Sequence, residues 1–347
     1  MRNGMAKPLI IPLFLLHQGC PHRCIFCNEG KAVGGGQPAI TGEYLKATVA
    51  AYLKNGRRKD RGPVQIAFYG GNFTGIETAR QRELLEMAGQ FVGEGLVDGI
   101  RISTRPDYID AAGLELLKEF HVQTVELGAQ SLVDSVLQCS RRGHTADDVR
   151  QALALLKGRG FETGLHLMVG LPGDSPESFA ATVRETVALQ PHMVRLHPTL
   201  VFADTGLEAA WKRGDYRPLS MAGAIAACKY ALGEFTGAGI PVIRLGLQTT
   251  PEMEKPGSIV AGPYHPSFRC LVEEAVFRDL VYRLLAGQDS AGREVTFFLS
   301  PRDISTFRGQ NNRNIKAIKE QYALADLTLS IDPDQPRGGL KMTMNKD

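Results

Sequence analysis

The sequence predicts an α/β fold: a partial (β/α)6 barrel followed by a small α+β module. Two observations lead to this expectation. Over the first 250 residues, short runs rich in Val, Ile and Leu alternate six times with longer stretches of helical pattern. Near residue 250 the composition shifts: 250–266 is rich in Pro and Gly, and a different order of elements follows. The expected units are a core barrel over 1–250, a linker and helix over 251–292, and a C-terminal module over 293–347. A chain of 347 residues, 43% hydrophobic and 22% charged, can bury the core such a barrel needs. Its net charge of +3 permits an acidic partner without arguing for one.

In chain order, strands are expected at 9–16, 64–69, 100–104, 124–127, 164–169 and 194–200, with a seventh at 242–248. Helices are expected at 42–54, 78–93, 110–120, 146–157, 176–189 and 222–236. Thr145 reads as an N-cap, with Asp147 and Asp148 in the turn after it and Gly158 past the far end. Asp174-Ser175-Pro176-Glu177 reads as a helix start. Barrels of this kind place active residues at the C-terminal ends of their strands. The apolar run 9–16 follows Arg2 and Lys7, as a signal peptide's would, but it is too short to span a bilayer. His17-Gln18-Gly19-Cys20 follows in place of a small-residue cleavage site, so the run reads as a buried strand. The expectation is a cytoplasmic protein with no membrane partner. In that reducing setting, clustered cysteines point to metal binding or catalysis rather than disulfides.

Such a cluster stands directly after the first strand, at the expected barrel mouth: Cys20-x3-Cys24-x2-Cys27. Three thiolates this close can bind three irons of a cubane cluster and leave the fourth iron open to a substrate. The competing reading is a structural zinc site, with His17 or His22 as fourth ligand. Zinc cysteines usually come as two separated pairs, and the sequence has no second pair. Cys139, Cys228 and Cys270 are scattered singly and read as small hydrophobes.

The cysteine motif, with Phe26 before its last cysteine, resembles that of the radical S-adenosylmethionine (SAM) superfamily. The resemblance extends over about 250 residues. It implies a [4Fe–4S] cluster that cleaves SAM reductively, an external electron donor, and a 5′-deoxyadenosyl radical that abstracts hydrogen. Phe68-Tyr69-Gly70-Gly71-Asn72-Phe73-Thr74 looks like the superfamily's glycine motif, whose backbone carbonyl holds the SAM amino group. Asn72 stands where an acidic or hydroxyl residue is commoner, so the backbone role is the one carried over. Several further motifs resemble the radical SAM domain of the Elongator catalytic subunit. They are Ser103-Thr104-Arg105-Pro106-Asp107-Tyr108, Gly128-Ala129-Gln130-Ser131, Arg142-Gly143-His144-Thr145, the run from His166 to Gly173, and His197-Pro198-Thr199-Leu200. Oxygen-independent coproporphyrinogen oxidase is a weaker match, with an acidic residue where this chain has His166. The resemblance implies that Ser103, Gln130, Arg142 and His166 surround SAM, with Arg142 on the methionyl carboxylate. The chain ends about 100 residues after residue 250 with no acetyl-CoA-binding loop that we recognise. It therefore resembles a stand-alone bacterial branch, and wobble-uridine carboxymethylation is not transferred to it.

In the C-terminal part, Phe307-Arg308-Gly309-Gln310-Asn311-Asn312-Arg313-Asn314-Ile315-Lys316-Ala317-Ile318 resembles the centre of a KH domain. There a GxxG loop between two helices clamps a nucleic-acid backbone. Gly309 holds the first glycine position and Asn312 the second; Asn tolerates the left-handed conformation required. Arg308, Arg313, Lys316 and Lys319 would supply phosphate contacts, and Ile315 and Ile318 would face the core. The competing reading is an appendage packed on the barrel, with these basic residues solvated. A further basic run, Lys54, Arg57, Arg58, Lys59 and Arg61, would help hold RNA or simply solvate a loop.

Three functions follow from these readings. The leading one is a radical SAM enzyme acting on RNA, with tRNA as the expected partner. The second is a radical SAM enzyme for a small metabolite, nearer to the coproporphyrinogen branch. The third is a non-catalytic RNA-binding protein with a structural metal.

Overall fold

The structure is a computed structural model that describes residues 8–21, 23–34, 38–55 and 62–345. His22, the loop glycines Gly35 and Gly36, and the basic residues Arg57, Arg58, Lys59 and Arg61 lie outside the described residues.

The strands are β1 (Leu9–Phe14), β2 (Val64–Tyr69), β3 (Gly99–Thr104), β4 (Val122–Gln130), β5 (Glu162–Val169), β6 (Met193–Pro198), β7 (Val201–Phe202), β8 (Val242–Leu245), β9 (Ile259–Ala261), β10 (Glu294–Leu299), β11 (Asp326–Ile331) and β12 (Lys341–Met344). Seven of them form one parallel sheet in the order β1-β2-β3-β4-β5-β6-β8. Every neighbour in chain order is a neighbour in space, as βα units with right-handed crossovers require. Nothing among the described residues closes the sheet between β1 and β8, so the barrel is partial.

The helices are α1 (Glu29–Val33), α2 (Gly42–Asn55), α3 (Thr78–Gly93), α4 (Ala111–Glu119), α5 (Asp134–Cys139), α6 (Ala146–Gly158), α7 (Pro176–Leu189), α8 (Gly206–Arg213), α9 (Met221–Gly237), α10 (Pro251–Glu254), α11 (Phe268–Leu285), α12 (Ile304–Arg308) and α13 (Arg313–Gln321). Thr145 caps α6 in a reciprocal capping box with Asp148, and Ser175 does the same for α7 with Ser178.

Alternation along the strands sorts side chains by face. Ile66, Phe68, Ile100, Ile102, Val125, Leu127, Leu165, Leu167, Val194 and Leu196 pack with buried helix residues such as Leu84, Leu117 and Leu153 in the main core. Tyr69, Arg101, Glu126, His166, Arg195 and His197 occupy the intervening positions on the concave face, where they bond across the strands.

Several elements differ from expectation. β4 runs on to Gln130, because Gly128 and Gln130 face the polar concave side and break the apolar pattern that marks its start. The stretch 250–266, expected as loop, contains α10 and β9. Thr250 caps α10 ahead of Pro251, and β9 pairs antiparallel with β7. Helix α8 sits in what was expected to be a connection; Thr205 caps it and Gly214 ends it.

Beyond α11 lies a second sheet, β11-β10-β12, with β10 parallel to β11 and antiparallel to β12. It has its own core around Phe297, Leu299, Phe307 and Ile318. Helix α11 belongs to both cores: Phe268 and Val272 pack into the barrel, and Phe277, Val281 and Leu285 into the second sheet. Phe297 is fully buried, with its ring 5.3 Å from that of Phe307. Phe297→Ala is expected to cost about 3–5 kcal/mol. Hydrogen exchange should then show β10–β12 losing protection while β1–β6 keep theirs; equal loss in both would show that the two cores unfold as one unit.

Candidate functional site

The loop after β1 carries the three cysteines, and it has no ladder of its own. Polar contacts from three directions hold it instead. The first centres on Asn72, which is fully buried. Asn72 Nδ2 donates to the Gly19 carbonyl at 2.9 Å, and its Oδ1 accepts from Thr104 Oγ1 at 2.6 Å and from the Arg105 N–H at 3.0 Å. The Asn72 N–H donates to Gln18 O at 2.8 Å. Two glycines make this packing feasible. Gly19 has φ +71°, and a Cβ there would lie 2.1 Å from Asn72 O; Gly71 has φ +58°, and a Cβ there would lie 2.3 Å from Gln18 O.

The second support is Glu29 at the start of α1. Its carboxylate accepts from the Gly71 N–H at 2.5 Å and from the His17 N–H. The third is the cap formed by β7, β9 and α8. Leu207 N–H donates to Ile25 O at 2.8 Å, Asn28 Nδ2 donates to Ala203 O at 2.9 Å, and Ile25 and Phe26 pack against Val201, Leu207 and Tyr216.

Arg142 joins the cysteine loop to the barrel. Its Nη1 donates to Cys24 Sγ at 3.0 Å and its Nη2 to the Gly128 carbonyl at 2.7 Å. Gln130 ends β4 with φ +61°, and its buried Oε1 has no hydrogen-bond partner among the described residues. Ser103 stands on β3 in register with Glu126. His166 lies on β5 in register with Arg195, and its Nε2 is 2.9 Å from His197 Nδ1.

The structure therefore brings Arg142 to the cysteine loop, sets the Gln130 side chain beside Gly128 and Arg142, and places Ser103 and His166 on the concave face. Gly70 and Gly71 turn beside the loop. Asn72 is engaged within the protein through its side chain and through both backbone groups, its N–H on Gln18 O and its carbonyl on the Gly75 N–H. Phe26 belongs to the cap cluster. In the C-terminal module, Gly309 has φ +69° and Asn312 is left-handed at φ +58°, and Gln310 to Arg313 are exposed. Arg313 pairs with buried Glu274 of α11 and Lys319 with Asp326, so these two cations are already engaged; Arg308 and Lys316 are exposed.

The local electrostatics suit a metal. Burial, then Glu29 and the neighbouring thiols, push the Cys27 thiol up to about 12; Cys20 is raised for the same reasons. Binding of a cluster would displace the protons of these thiols. The donor atoms of His17, Cys27 and Glu29 lie within 4.8 Å of one another, so the zinc alternative also has ligands at hand. Arg142 sets a positive charge against Cys24, which favours its thiolate form.

Residues that the sequence reading missed lie beneath. Glu126 is buried with Arg101 and Arg195 on its two oxygens, and the Tyr69 hydroxyl donates to it at 3.0 Å. Burial works to raise Glu126, but the two guanidiniums outweigh it and hold the carboxyl below its usual range. Burial, aided by Arg195, pushes His166 down to about 4, and His197 lies well below the usual histidine value. Both rings are neutral at pH 7.

A parallel half-barrel with three thiols in the loop after its first strand defines a class of iron–sulfur enzyme in which one iron stays open to a cosubstrate. This chain belongs to the radical SAM superfamily: residues 14–186 match that superfamily, and residues 191–278 match the Radical_SAM C-terminal domain. It is accordingly an enzyme whose cofactors are a [4Fe–4S] cluster and SAM. It is 29% identical over 251 residues to the tRNA uridine(34) acetyltransferase of Methanocaldococcus infernus, covering 61% of this chain and 47% of that one. It is 30% identical over 259 residues to the protein of the same name from Dehalococcoides mccartyi, covering 65% and 54%. The chain thus spans about half the length of these curated relatives. The solved structure of M. infernus Elp3 with its N-terminus deleted shares the fold, with a TM-score of 0.60 over 79% of this chain and 64% of that chain at 22% identity.

Asn72→Ala would strip partners from Gly19 O and the Arg105 N–H, at a cost of about 1–3 kcal/mol for each buried group left unpaired. Iron bound per chain after reconstitution should fall with the melting temperature. Full iron content in a destabilised Asn72→Ala protein would mean that the clamp serves folding and not the cysteine loop.

Proposed function

We propose that this enzyme modifies RNA, with tRNA as its substrate class, and that Cys20, Cys24 and Cys27 are the ligands of its cluster. The observation that carries the RNA reading is the likeness, through most of the barrel, to proteins named tRNA uridine(34) acetyltransferase. Acetyl transfer is not part of the proposal, because the likeness covers about half of those proteins.

When bound, the cluster and SAM supply a radical that abstracts hydrogen, with an external donor providing the electron. The chain's own residues bind and orient. Arg142, already beside Cys24, takes the methionyl carboxylate in a charge-assisted pair. Gln130 and neutral His166 hydrogen-bond the rest of SAM, with Ser103 on the same face. The turn at Gly70–Gly71 lets backbone come close to the amino group. The cap of β7, β9 and α8 packs on Ile25 and Phe26 of the cysteine loop and helps to hold it in place.

The C-terminal module suits contact with a nucleic-acid backbone. We propose 293–347 as a KH-like unit, reached through 251–292 from a core of 1–250. Its loop from Gly309 to Asn312 is flanked by exposed Arg308 and Lys316, and Ile315 and Ile318 turn inward as such a unit requires. Arg313 and Lys319 contribute less charge than their number suggests, since each is paired.

The test is anaerobic. The reconstituted protein is given dithionite and SAM, and 5′-deoxyadenosine is measured with and without bulk tRNA, with Cys24→Ala as control. Product that depends on Cys24 and rises with tRNA is the expected result. Product indifferent to tRNA would end the RNA reading and leave the enzyme class standing.

A further inference from the structure

The concave face carries more positive charge than SAM binding uses. Arg101 and Arg195 share one fully buried carboxylate, Glu126. A second carboxylate, Glu162, lies 3.9 Å from Arg101 but is 44% exposed, so it neutralises weakly. Arg244 stands on β8 in register with Arg195, half-buried. Its guanidinium donates to the neutral amide of Gln248 at 3.0 Å, and no carboxylate lies within 4.0 Å of it among the described residues. Two guanidiniums side by side repel, and an anion between them would relieve that repulsion.

A second group waits at the same place. His197 lies on the concave face two residues beyond Arg195, and its Nδ1 is 2.9 Å from His166 Nε2. Both tautomers fit this geometry; we assign His166 as the donor, which puts the proton of His197 on Nε2. That nitrogen is shielded from solvent and has no partner among the described residues. It is a donor without an acceptor, close enough to Arg244 to feel its charge. β8 is the edge strand of the sheet.

We propose that Arg244 and His197 form a phosphate-binding subsite at the β8 edge of the barrel, which holds a phosphate of the nucleotide to be modified. The nature of that phosphate's owner rests on the RNA reading above; the subsite itself rests on the unmatched guanidinium and the unmatched imidazole. The SAM carboxylate does not need this position, because Arg142, beside Cys24, is the residue proposed for it.

Ligand-observed NMR on the cluster-loaded, SAM-bound full chain compares uridine 5′-monophosphate with uridine. The wild type should bind the phosphate form about tenfold or more tighter, as a charge-assisted contact implies. Arg244→Gln should abolish that preference, and Arg244→Lys, which keeps the charge, should retain part of it. Equal binding of the two ligands by the wild type would overturn the subsite, as would an undiminished preference in Arg244→Gln. Loss of SAM affinity in Arg244→Gln with the preference intact would also overturn it and assign Arg244 to SAM. If the preference depends on Arg244 but tRNA does not stimulate SAM cleavage, the subsite stands and its ligand is a free nucleotide rather than RNA.

Discussion

Everything at the barrel mouth depends on one buried side chain, Asn72. Residues 20, 24 and 27 would share one face of a helix, but the segment that carries them is a loop with no hydrogen-bond ladder of its own. The loop must therefore borrow rigidity. Asn72 supplies it by bonding at once to the cysteine loop through Gly19 and Gln18, and to the end of β3 through Thr104 and Arg105. An amide suits the task because it donates and accepts in fixed directions, and all of these bonds are shielded from water. Glu29 repeats the principle with a carboxylate, tying His17 to Gly71.

The second constraint is the polar interior. A small barrel normally fills its centre with branched apolar side chains. Here the concave face carries Tyr69, Arg101, Glu126, His166, Arg195 and His197, whose buried bonds run between strands far apart in sequence. Buried ion pairs are poor stabilisers compared with apolar packing, and the breaking of one partner is costly. Their presence in a fold that would be more stable with leucines there points to ligand chemistry. Arg195 also lies over the Tyr69 ring, its guanidinium carbon 4.7 Å from the centroid, and so closes the floor of the concave face.

Much of the barrel was legible in the sequence, for local reasons. Apolar runs marked the convex faces of the strands, and Thr145 and Ser175 announced α6 and α7. Helix α8 had a signal of the same kind, Thr205 before Glu208 and Gly214 after Lys212 and Arg213. The concave face was harder to read. Residues 101 and 103, or 124, 126, 128 and 130, alternate as a strand should, yet their polarity mimics a solvent face. Only the sheet's curvature shows that this face is interior. The partners of Glu126 lie on β3 and β6, and no local pattern links them. Asn72 is the instructive case: the motif around it was visible, but its burial and its bonds to two separate segments come from packing.

The most direct test of the three-cysteine assignment is spectroscopic. The reduced, reconstituted protein is mixed with SAM labelled with 15N at the amino group and 17O at the carboxylate, and its electron–nuclear double resonance spectrum is recorded. Three protein thiolates leave one iron open, so hyperfine coupling from both labels is predicted. A cluster that forms fully but shows neither coupling, with a spectrum unchanged by SAM, would mean that a fourth protein ligand such as His17 or Glu29 closes the site, contradicting the assignment.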